Sequence, residues 1–557
     1  MKKETKTKIT AAAISGVFAA LANSLRDSGE FKSAENHDSS YFFEGTKRFL
    51  KNPSKNGVWS LGFSEVDLTP ADYAEHAYFM GGYIAPENRF RNLIEDVVDD
   101  MRGRCIALDD NSGRGISVFC TIDCIGTTNA DIKVIRRKFL EKMAERFPEK
   151  KIASVNVFST HTHSCVDTQG LWTDFPGKML RNIRRNYTGR GILERGADEQ
   201  YMRFLADGVS TSLVNAVADM AEGEMFLAQK DFPDYIGNKN RPSAPSVLYT
   251  VTRLTFKPFD KSKTPTVIAN VPAHPDVAGL PVSDEAGSGR RLCGDYIHYI
   301  GETVNRAGYN FMFFNGAICA IYTNRALTND DLPLEHRYMQ SQRFGVEMGR
   351  MVLSMTKTLD EIKRDKVLYD EAEIARDTAK AEKNGGKYTL WCNNWEPVSE
   401  CKVAPLLNIR LKEVKVPITN NLICAAGKLR LANYEVLTEG KHKYAVFTEI
   451  GYIEFGKELR VALVPGEFCG DLLLGGASLF ADGAVTHTDF GLPCVRDILG
   501  ENTIAFGLAN DAVGYIVPDN DYTLGDPADH YHESVSLGKF TGSSVIKGFI
   551  ELKKELS

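Results

Sequence analysis

Two histidines stand two positions apart in the segment S-T-H-T-H (residues 159–163), directly after an apolar run that predicts a buried strand. Side chains at positions i and i+2 of an extended backbone point to the same side, so two imidazoles could bind one metal ion. Alternatively, one histidine binds the metal and the other orients a neighbouring group. Two histidines in a polar loop would give the same pattern, so a metal site needs support from elsewhere in the chain.

Three more residues with metal-binding side chains stand at comparable places. His274 follows a predicted strand over 265–271, Glu467 follows one over 459–464, and Tyr515 lies in a later glycine-containing segment. Taken singly, a glutamate after Pro-Gly is usually a turn residue. A catalytic zinc ion, however, typically takes three protein ligands and keeps one position open for water. Two histidines and one glutamate would satisfy it, with a tyrosine as a further oxygen ligand or as a donor to the substrate.

The order of these motifs resembles that of the neutral, non-lysosomal ceramidases. The resemblance rests on T-H-T-H-S (160–164), A-H-P (273–275), N-G-A-I-C (315–319), V-P-G-E-F (464–468), and G-Y (514–515) followed by H-Y (530–531). The early segments L-T-P (68–70) and M-G-G-Y (80–83) also match, so the resemblance covers roughly residues 58–557. Several motifs in one order are much more specific than any one of them.

The resemblance implies a zinc-dependent hydrolase that cleaves a linear amide bond of an N-acyl lipid or a related N-acylated compound. Zinc in such a site lowers the pKa of water and polarises the amide carbonyl. The residues that it implies are the zinc ligands His161, His274, Glu467 and Tyr515, the catalytic candidates His163, Cys319 and Tyr531, and the substrate-binding candidates Arg241, Asn315 and Tyr531.

Two departures from the family pattern leave alternatives open. Cys319 stands where the family has a serine, and its thiol could be a nucleophile, a soft ligand or a packed core residue. The chain also ends too soon after Tyr531 for the family's C-terminal immunoglobulin-like domain, so we expect the catalytic domain without it. The alternatives are a zinc esterase or deacylase acting on a non-ceramide substrate, and a catalytically silent zinc-binding homologue.

Alternating strand and helix patterns predict the elements that position these residues. They indicate an α/β fold with mixed β-sheets and flanking helices. Because several strands end in polar residues, we expect one crevice to collect them. The predicted strands are 59–66, 104–108 and 116–122 as a hairpin, 151–160, 247–256, 265–271, 310–314, 407–416 and 459–464; the predicted helices are 129–147, 198–221, 293–307, 337–364, 372–383 and 544–556.

Composition and charge set the remaining expectations. The ordinary apolar and charged fractions predict one large catalytic domain over residues 56–557, with an N-terminal extension over 1–55 and an elaboration over 365–440. A net charge of −6 gives no reason to expect nucleic acid or an anionic membrane as the main partner, and no stretch predicts a membrane span. We therefore expect a small-molecule or lipid N-acyl substrate; the sequence leaves the oligomeric state open.

Two features point to different compartments. Eleven cysteines without a C-x-x-C pair favour a reducing, cytoplasmic environment. The basic and then apolar residues 1–22 resemble a secretory signal, so export is the alternative; the same residues could also form an alanine-rich amphipathic helix.

Overall fold

A computed structural model describes residues 15–26, 34–82, 93–238, 246–278, 291–324, 337–523 and 531–556. Within these residues the chain forms a mixed α/β fold, which confirms the predicted class. Arg241 and most of the signal-like segment 1–22 lie outside the described residues. Residues 15–24 form a helix whose Ala22 is buried.

The larger β-sheet has nine strands. They are β1 (Trp59–Asp67), β2 (Arg102–Asp109), β3 (Ile116–Ile122), β4 (Ile152–Ser159), β5 (Ala221–Asp231), β6 (Thr250–Pro258), β7 (Thr266–Val271), β8 (Asn310–Asn315) and β9 (Cys401–Val403). Their order is β8-β7-β6-β5-β1-β2-β3-β4, with β9 paired to β5. The predicted hairpin of β2 and β3 is confirmed, with Cys105 opposite Cys120.

A second sheet has five strands. They are β10 (Leu407–Ile418), β11 (Leu437–Thr438), β12 (Tyr444–Phe455), β13 (Leu459–Leu463) and β14 (Thr503–Phe506). Their order is β10-β12-β13-β14, with β11 on β12. Strand β10 pairs with β12 along its whole length. The N-terminal region reaches this sheet too, because the backbone N–H of Thr46 donates to Ile409.

Five of the six predicted helices are confirmed, whereas over residues 337–364 one long helix was expected and two are found. The break comes at Thr358, whose side chain and backbone form a reciprocal capping box with Glu361 and so start a new helix. The sequence did not predict several further helices, of which Phe175–Thr188 is the longest. Among the described residues, no helix has the length and apolar character needed to cross a bilayer. The helices are α1 (Asn129–Arg146), α2 (Phe175–Thr188), α3 (Glu199–Ala218), α4 (Asp295–Arg306), α5 (Arg337–Ser354), α6 (Leu359–Arg364), α7 (Glu371–Lys383), α8 (Asn421–Lys428), α9 (Gly470–Leu474), α10 (Val495–Leu499), α11 (Tyr531–Ser534) and α12 (Thr541–Leu556).

Two parallel strand pairs bring the segments with the candidate site residues to one edge of the larger sheet. Strand β3 is connected through α1 to its parallel neighbour β4, and β7 is connected through α4 to β8. A parallel pair needs such a crossover, and all its carboxyl ends lie at one edge. The ends of β4, β7 and β8 therefore carry the segments that begin with Thr160, Pro272 and Gly316.

An aromatic cluster packs near the ends of β4, β8 and β14. The rings of Phe314 and Phe506 are stacked with centroids 4.2 Å apart, and Phe158 meets Phe314 edge-on at 4.8 Å. Aromatic pairs in these arrangements contribute about 0.5–1.5 kcal/mol beyond their buried area. Because β4, β8 and β14 each supply one ring, the cluster ties the larger sheet to the second sheet directly behind the site.

Candidate metal centre

Four sequence-distant segments carry the predicted ligands to one place. His161 follows β4, His274 follows β7, and Glu467 follows β13. Glu467 is paired in a short parallel bridge with Tyr515. All four side chains are buried.

The two imidazoles converge on one carboxylate oxygen. His161 Nε2 lies 3.4 Å from Glu467 Oε2, and His274 Nε2 lies 3.1 Å from the same atom. The two rings are edge-to-face with centroids 4.8 Å apart.

Backbone carbonyls set the tautomers of both histidines. His161 Nδ1 lies 2.6 Å from the carbonyl oxygen of Ile125, and His274 Nδ1 lies 3.0 Å from that of Ile318. A carbonyl oxygen only accepts, so each Nδ1 must carry a hydrogen and donate it. In the neutral ring each Nε2 then presents its lone pair to the centre, which is the arrangement that metal-ligating histidines usually show.

The centre therefore collects electron-pair donors that need a positive partner. His161 Nε2 and Glu467 Oε2 are buried, and neither has a hydrogen bond of good geometry among the described residues. Burial opposes charge on both groups, yet the Glu467 carboxylate raises the pKa of His161, and the two imidazoles hold the pKa of Glu467 well below its usual value. A cation or added protons would satisfy this set, and the N/O donor set fits zinc.

His163 completes a group of three histidines that could hold a metal ion. One ligand atom from each of His161, His163 and His274 lies within 4.8 Å of the others. Burial, and then the positive charge of the other two imidazoles, lowers the pKa of His163 well below its usual value. His163 is therefore neutral near pH 7, and a neutral imidazole can either bind a metal or accept a proton. The residue thus fits both roles that the H-x-H pattern allows.

Two tyrosines stand beside the cluster. The ring of Tyr515 lies nearly parallel to His274 with centroids 6.5 Å apart, and Tyr531 meets Tyr515 edge-on at 6.1 Å. Both tyrosines line a pocket with His161, His163 and Glu467. Its free volume of about 30 Å³ is enough for a water molecule next to the cluster.

Asn315 supports the strand end that carries His161. Its side-chain amide donates to the carbonyl oxygen of Thr160 at 2.5 Å and to that of Ser159 at 3.3 Å. The next residue, His161, has a φ of 68°, which costs a non-glycine residue about 1–2 kcal/mol. Asn315 is buried and is not among the pocket-lining residues, so the contact described is with the backbone; substrate binding by Asn315 stays a prediction.

The structure places Cys319 in the hydrophobic core. The residue is fully buried, and its backbone N–H donates to the carbonyl oxygen of Phe468 at 3.2 Å. It forms a parallel bridge with Cys469, and both belong to the same core cluster. Of the roles left open for Cys319, this environment is that of a packed thiol; a catalytic role stays a prediction.

Three residues near the centre were not singled out from the sequence. The charge of Asp276, which is fully buried, favours the protonated forms of His161 and His163. His532 meets the ring of Tyr515 edge-on at 4.6 Å, and Trp172 lines the pocket. The position of Asp276 directly after the A-H-P step was a usable signal, whereas nothing in the sequence near Trp172 pointed to the site.

Comparisons with known proteins identify the fold. No family model matches the chain, and no curated protein matches its sequence. Among solved structures, neutral ceramidase from Pseudomonas aeruginosa matches with a TM-score of 0.56 and 14% identity, covering 90% of this chain and 75% of that one. A structure described as ceramidase complexed with C2 matches with a TM-score of 0.55 and 13% identity, covering 89% and 75%. The chain therefore has a ceramidase-like fold.

Proposed function

We propose that this protein is a zinc-dependent hydrolase that cleaves a linear amide bond of an N-acyl lipid or a related N-acylated compound. The observation that carries the proposal is the convergence of His161 Nε2 and His274 Nε2 on one oxygen of Glu467, with both Nδ1 atoms tied to backbone carbonyls. The fold shared with neutral ceramidases supports the choice of an amide as the scissile bond.

His161, His274 and Glu467 would hold the ion, with Tyr515 or His163 as the further ligand. Zinc bound there would supply a Lewis acid that polarises a carbonyl and lowers the pKa of water. The negative charge of Glu467 would offset part of the ion's charge and strengthen its retention.

The protein's own residues supply the proton transfers. His163 is buried and neutral, so it can accept a proton from the attacking water and pass it to the leaving amine. A hydroxyl from Tyr531, which lines the same pocket, can donate to the oxygen of the tetrahedral intermediate. The histidines and Glu467 are buried, and electrostatic interactions are stronger in such a site than in water.

A second candidate is a zinc esterase or deacylase that acts on a different acyl compound. The observation that favours it is the buried thiol of Cys319 at the position where the ceramidase pattern has a serine. If that serine matters for amide cleavage, this chain would act better on esters, which are easier to hydrolyse.

The test is a substrate screen with zinc-loaded protein. N-acyl sphingosines, simple N-acyl amines and the matching O-acyl esters are offered, and fatty acid release is measured. We expect cleavage of N-acyl compounds that is lost in His161→Asn. The control is His442→Asn, because His442 is an exposed histidine with a comparable φ of 61°, and asparagine tolerates that backbone in both places. Release from esters alone would favour the second candidate, and bound zinc without any release would mean a silent homologue.

Zinc content of single variants separates the two ligand sets. If Tyr515 is the further ligand, Tyr515→Phe binds zinc more weakly and His163→Ala keeps it while losing turnover. If His163 is the ligand, His163→Ala binds zinc more weakly and Tyr515→Phe keeps it while losing turnover. Wild-type protein that binds no zinc would contradict the proposal as a whole.

A further inference from the structure

Helix α2 and the turn after it form a basic surface. The segment begins just after Trp172, which lines the pocket with His161 and His163. Residues 175–193 contain no aspartate or glutamate, while the whole chain has a net charge of −6. The basic residues in the segment are Lys178, Arg181, Arg184, Arg185 and Arg190.

Packing fixes which face of α2 points inwards. Asn182 is buried, and its amide donates to the carbonyl oxygens of Glu194 and Leu429 at 2.7 and 2.9 Å. Asn186, one turn later, is also buried, and Met179 and Ile183 pack against the hydrophobic core. These positions share one side of the helix.

The opposite face is exposed and apolar as well as basic. Leu180 is 65% exposed and Tyr187 41%, and both lie on the same side of the helix as Arg184. The Tyr187 hydroxyl is hydrogen-bonded to the hydroxyl of Ser24, which leaves the edge of its ring exposed. Beyond the helix end, Ile192 is 80% exposed. Arg190, between two glycines in the turn, is exposed too.

The exposed cations differ in how far they are already neutralised. Arg181 and Arg185 each form an ion pair with Glu194, at 2.8 and 2.7 Å. No ion pair is found for Arg184 or Arg190 among the described residues, so their charges stay available for an outside partner. Leu180 and Ile192 add exposed aliphatic groups beside these two arginines.

We propose that the surface formed by Leu180, Arg184, Tyr187, Arg190 and Ile192 docks onto an anionic lipid bilayer. An amphipathic helix with arginines beside exposed aliphatic and aromatic residues lies in the plane of a membrane interface, with its apolar side chains inserted between the headgroups. The arginines then meet the lipid phosphates, each adding to the affinity. This docking is independent of the proposed hydrolysis, because it is measured by binding alone.

The apolar component favours a bilayer over a nucleic acid. A nucleic-acid surface would pair the cations with stacking aromatics, whereas Leu180 and Ile192 offer aliphatic groups that gain only from an apolar medium. The small net charge of the whole chain does not indicate this local cluster of arginines.

Vesicle co-sedimentation of the full chain tests the docking. Neutral phosphatidylcholine vesicles are compared with vesicles that also contain phosphatidylglycerol, at low and high salt. We expect binding to the anionic vesicles only, weakened by salt because the contacts are exposed. Arg184→Glu/Arg190→Glu should weaken binding at least about twentyfold, given about fivefold for each arginine removed. Leu180→Asp/Ile192→Asp should weaken it about tenfold or more.

The controls are Phe259→Asp and Lys261→Glu, which are exposed residues beyond β6, near the C-terminal end of α3 and away from α2. Both should bind like the wild type. The proposal is overturned by wild-type protein that binds neither vesicle, by equal binding to neutral vesicles, or by variants of the docking surface that bind unchanged. It is also overturned if a single-stranded oligonucleotide binds at the α2 surface while anionic vesicles do not. Since every substituted side chain is exposed, circular dichroism should show unchanged folding.

Discussion

The buried amide of Asn315 gives the sharpest test of how the fold positions the metal centre. Replacing Asn315 with leucine keeps a similar side-chain volume but removes the donor to the carbonyl oxygen of Thr160. That oxygen precedes His161, and a buried acceptor left without a donor costs about 1–3 kcal/mol. We expect the free energy of unfolding of the metal-free protein to fall by about that amount.

The same substitution should also weaken zinc binding. His161 has a strained φ of 68°, and the bond from Asn315 to Thr160 restrains the backbone directly before it. Partners that orient a ligand without touching the metal typically change affinity by about 10- to 100-fold. We expect a loss of about tenfold, measured by competition with a coloured chelator, and the loss of stability is measured by urea unfolding.

Asn182→Leu is the matched control. Asn182 is likewise buried and donates to two backbone carbonyls, but it lies in α2 and away from the strand ends. It should lose a similar amount of stability and keep its zinc affinity. If both variants bind zinc equally well, or if Asn315→Leu unfolds at the wild-type urea concentration, the positioning role of Asn315 is wrong.

Two further predictions concern buried charges. Arg136 is fully buried and binds Glu449 at 2.6 and 2.8 Å. In urea unfolding, Arg136→Met should therefore lower the free energy of unfolding by about 3–5 kcal/mol, because it leaves the carboxylate buried without its partner, and Arg136→Met/Glu449→Leu should lower it less. Equal losses in the two variants would disprove the pairing. Burial raises the pKa of Glu347 from 4.5 to about 7, so the folded state binds this proton more tightly and stability should fall by about 3 kcal/mol as the pH rises through that range. Glu347→Gln should flatten this slope in urea titrations between about pH 5 and pH 8, and an unchanged slope would contradict it.

Much of the fold could be predicted because its strands and helices have clear apolar periods. The helix predicted at 129–147 and the strand predicted at 151–160 were confirmed to within one residue at each end. The prediction of a single helix over 337–364 was wrong, although the T-L-D-E sequence from Thr358 is a signal for the start of a helix. The residues on both sides of Thr358 favour helix, so their apolar pattern alone did not indicate the break between the two helices.

The candidate metal centre could be predicted only in part from the sequence. Residue type and position after strands selected His161, His274 and Glu467, and the structure brings them together. The tautomer control by Ile125 and Ile318 could not be foreseen, because it uses backbone carbonyls that carry no mark in the sequence. Which further side chain binds the ion depends on distances of a few tenths of an ångström, which a sequence does not contain.

The docking surface on α2 was missed for a different reason. A net charge is an average over the whole chain, and the five basic residues of 175–193 are offset by acidic residues elsewhere. Whether Leu180 faces the core or the solvent depends on where the buried Asn182 and Asn186 anchor the helix. An amphipathic pattern alone does not identify the face that is left uncovered.

The wide separation of the three converging residues has a consequence for biogenesis. His161 leaves the ribosome long before Glu467, and at roughly 5–20 residues per second the interval is on the order of 15–60 s. During that interval the nascent chain has only the histidines of the cluster and lacks the carboxylate of Glu467 on which both converge in the folded protein. If the proposed zinc ion needs all three residues, tight binding would follow only after strand β13 has been synthesised and Glu467 has joined the two histidines.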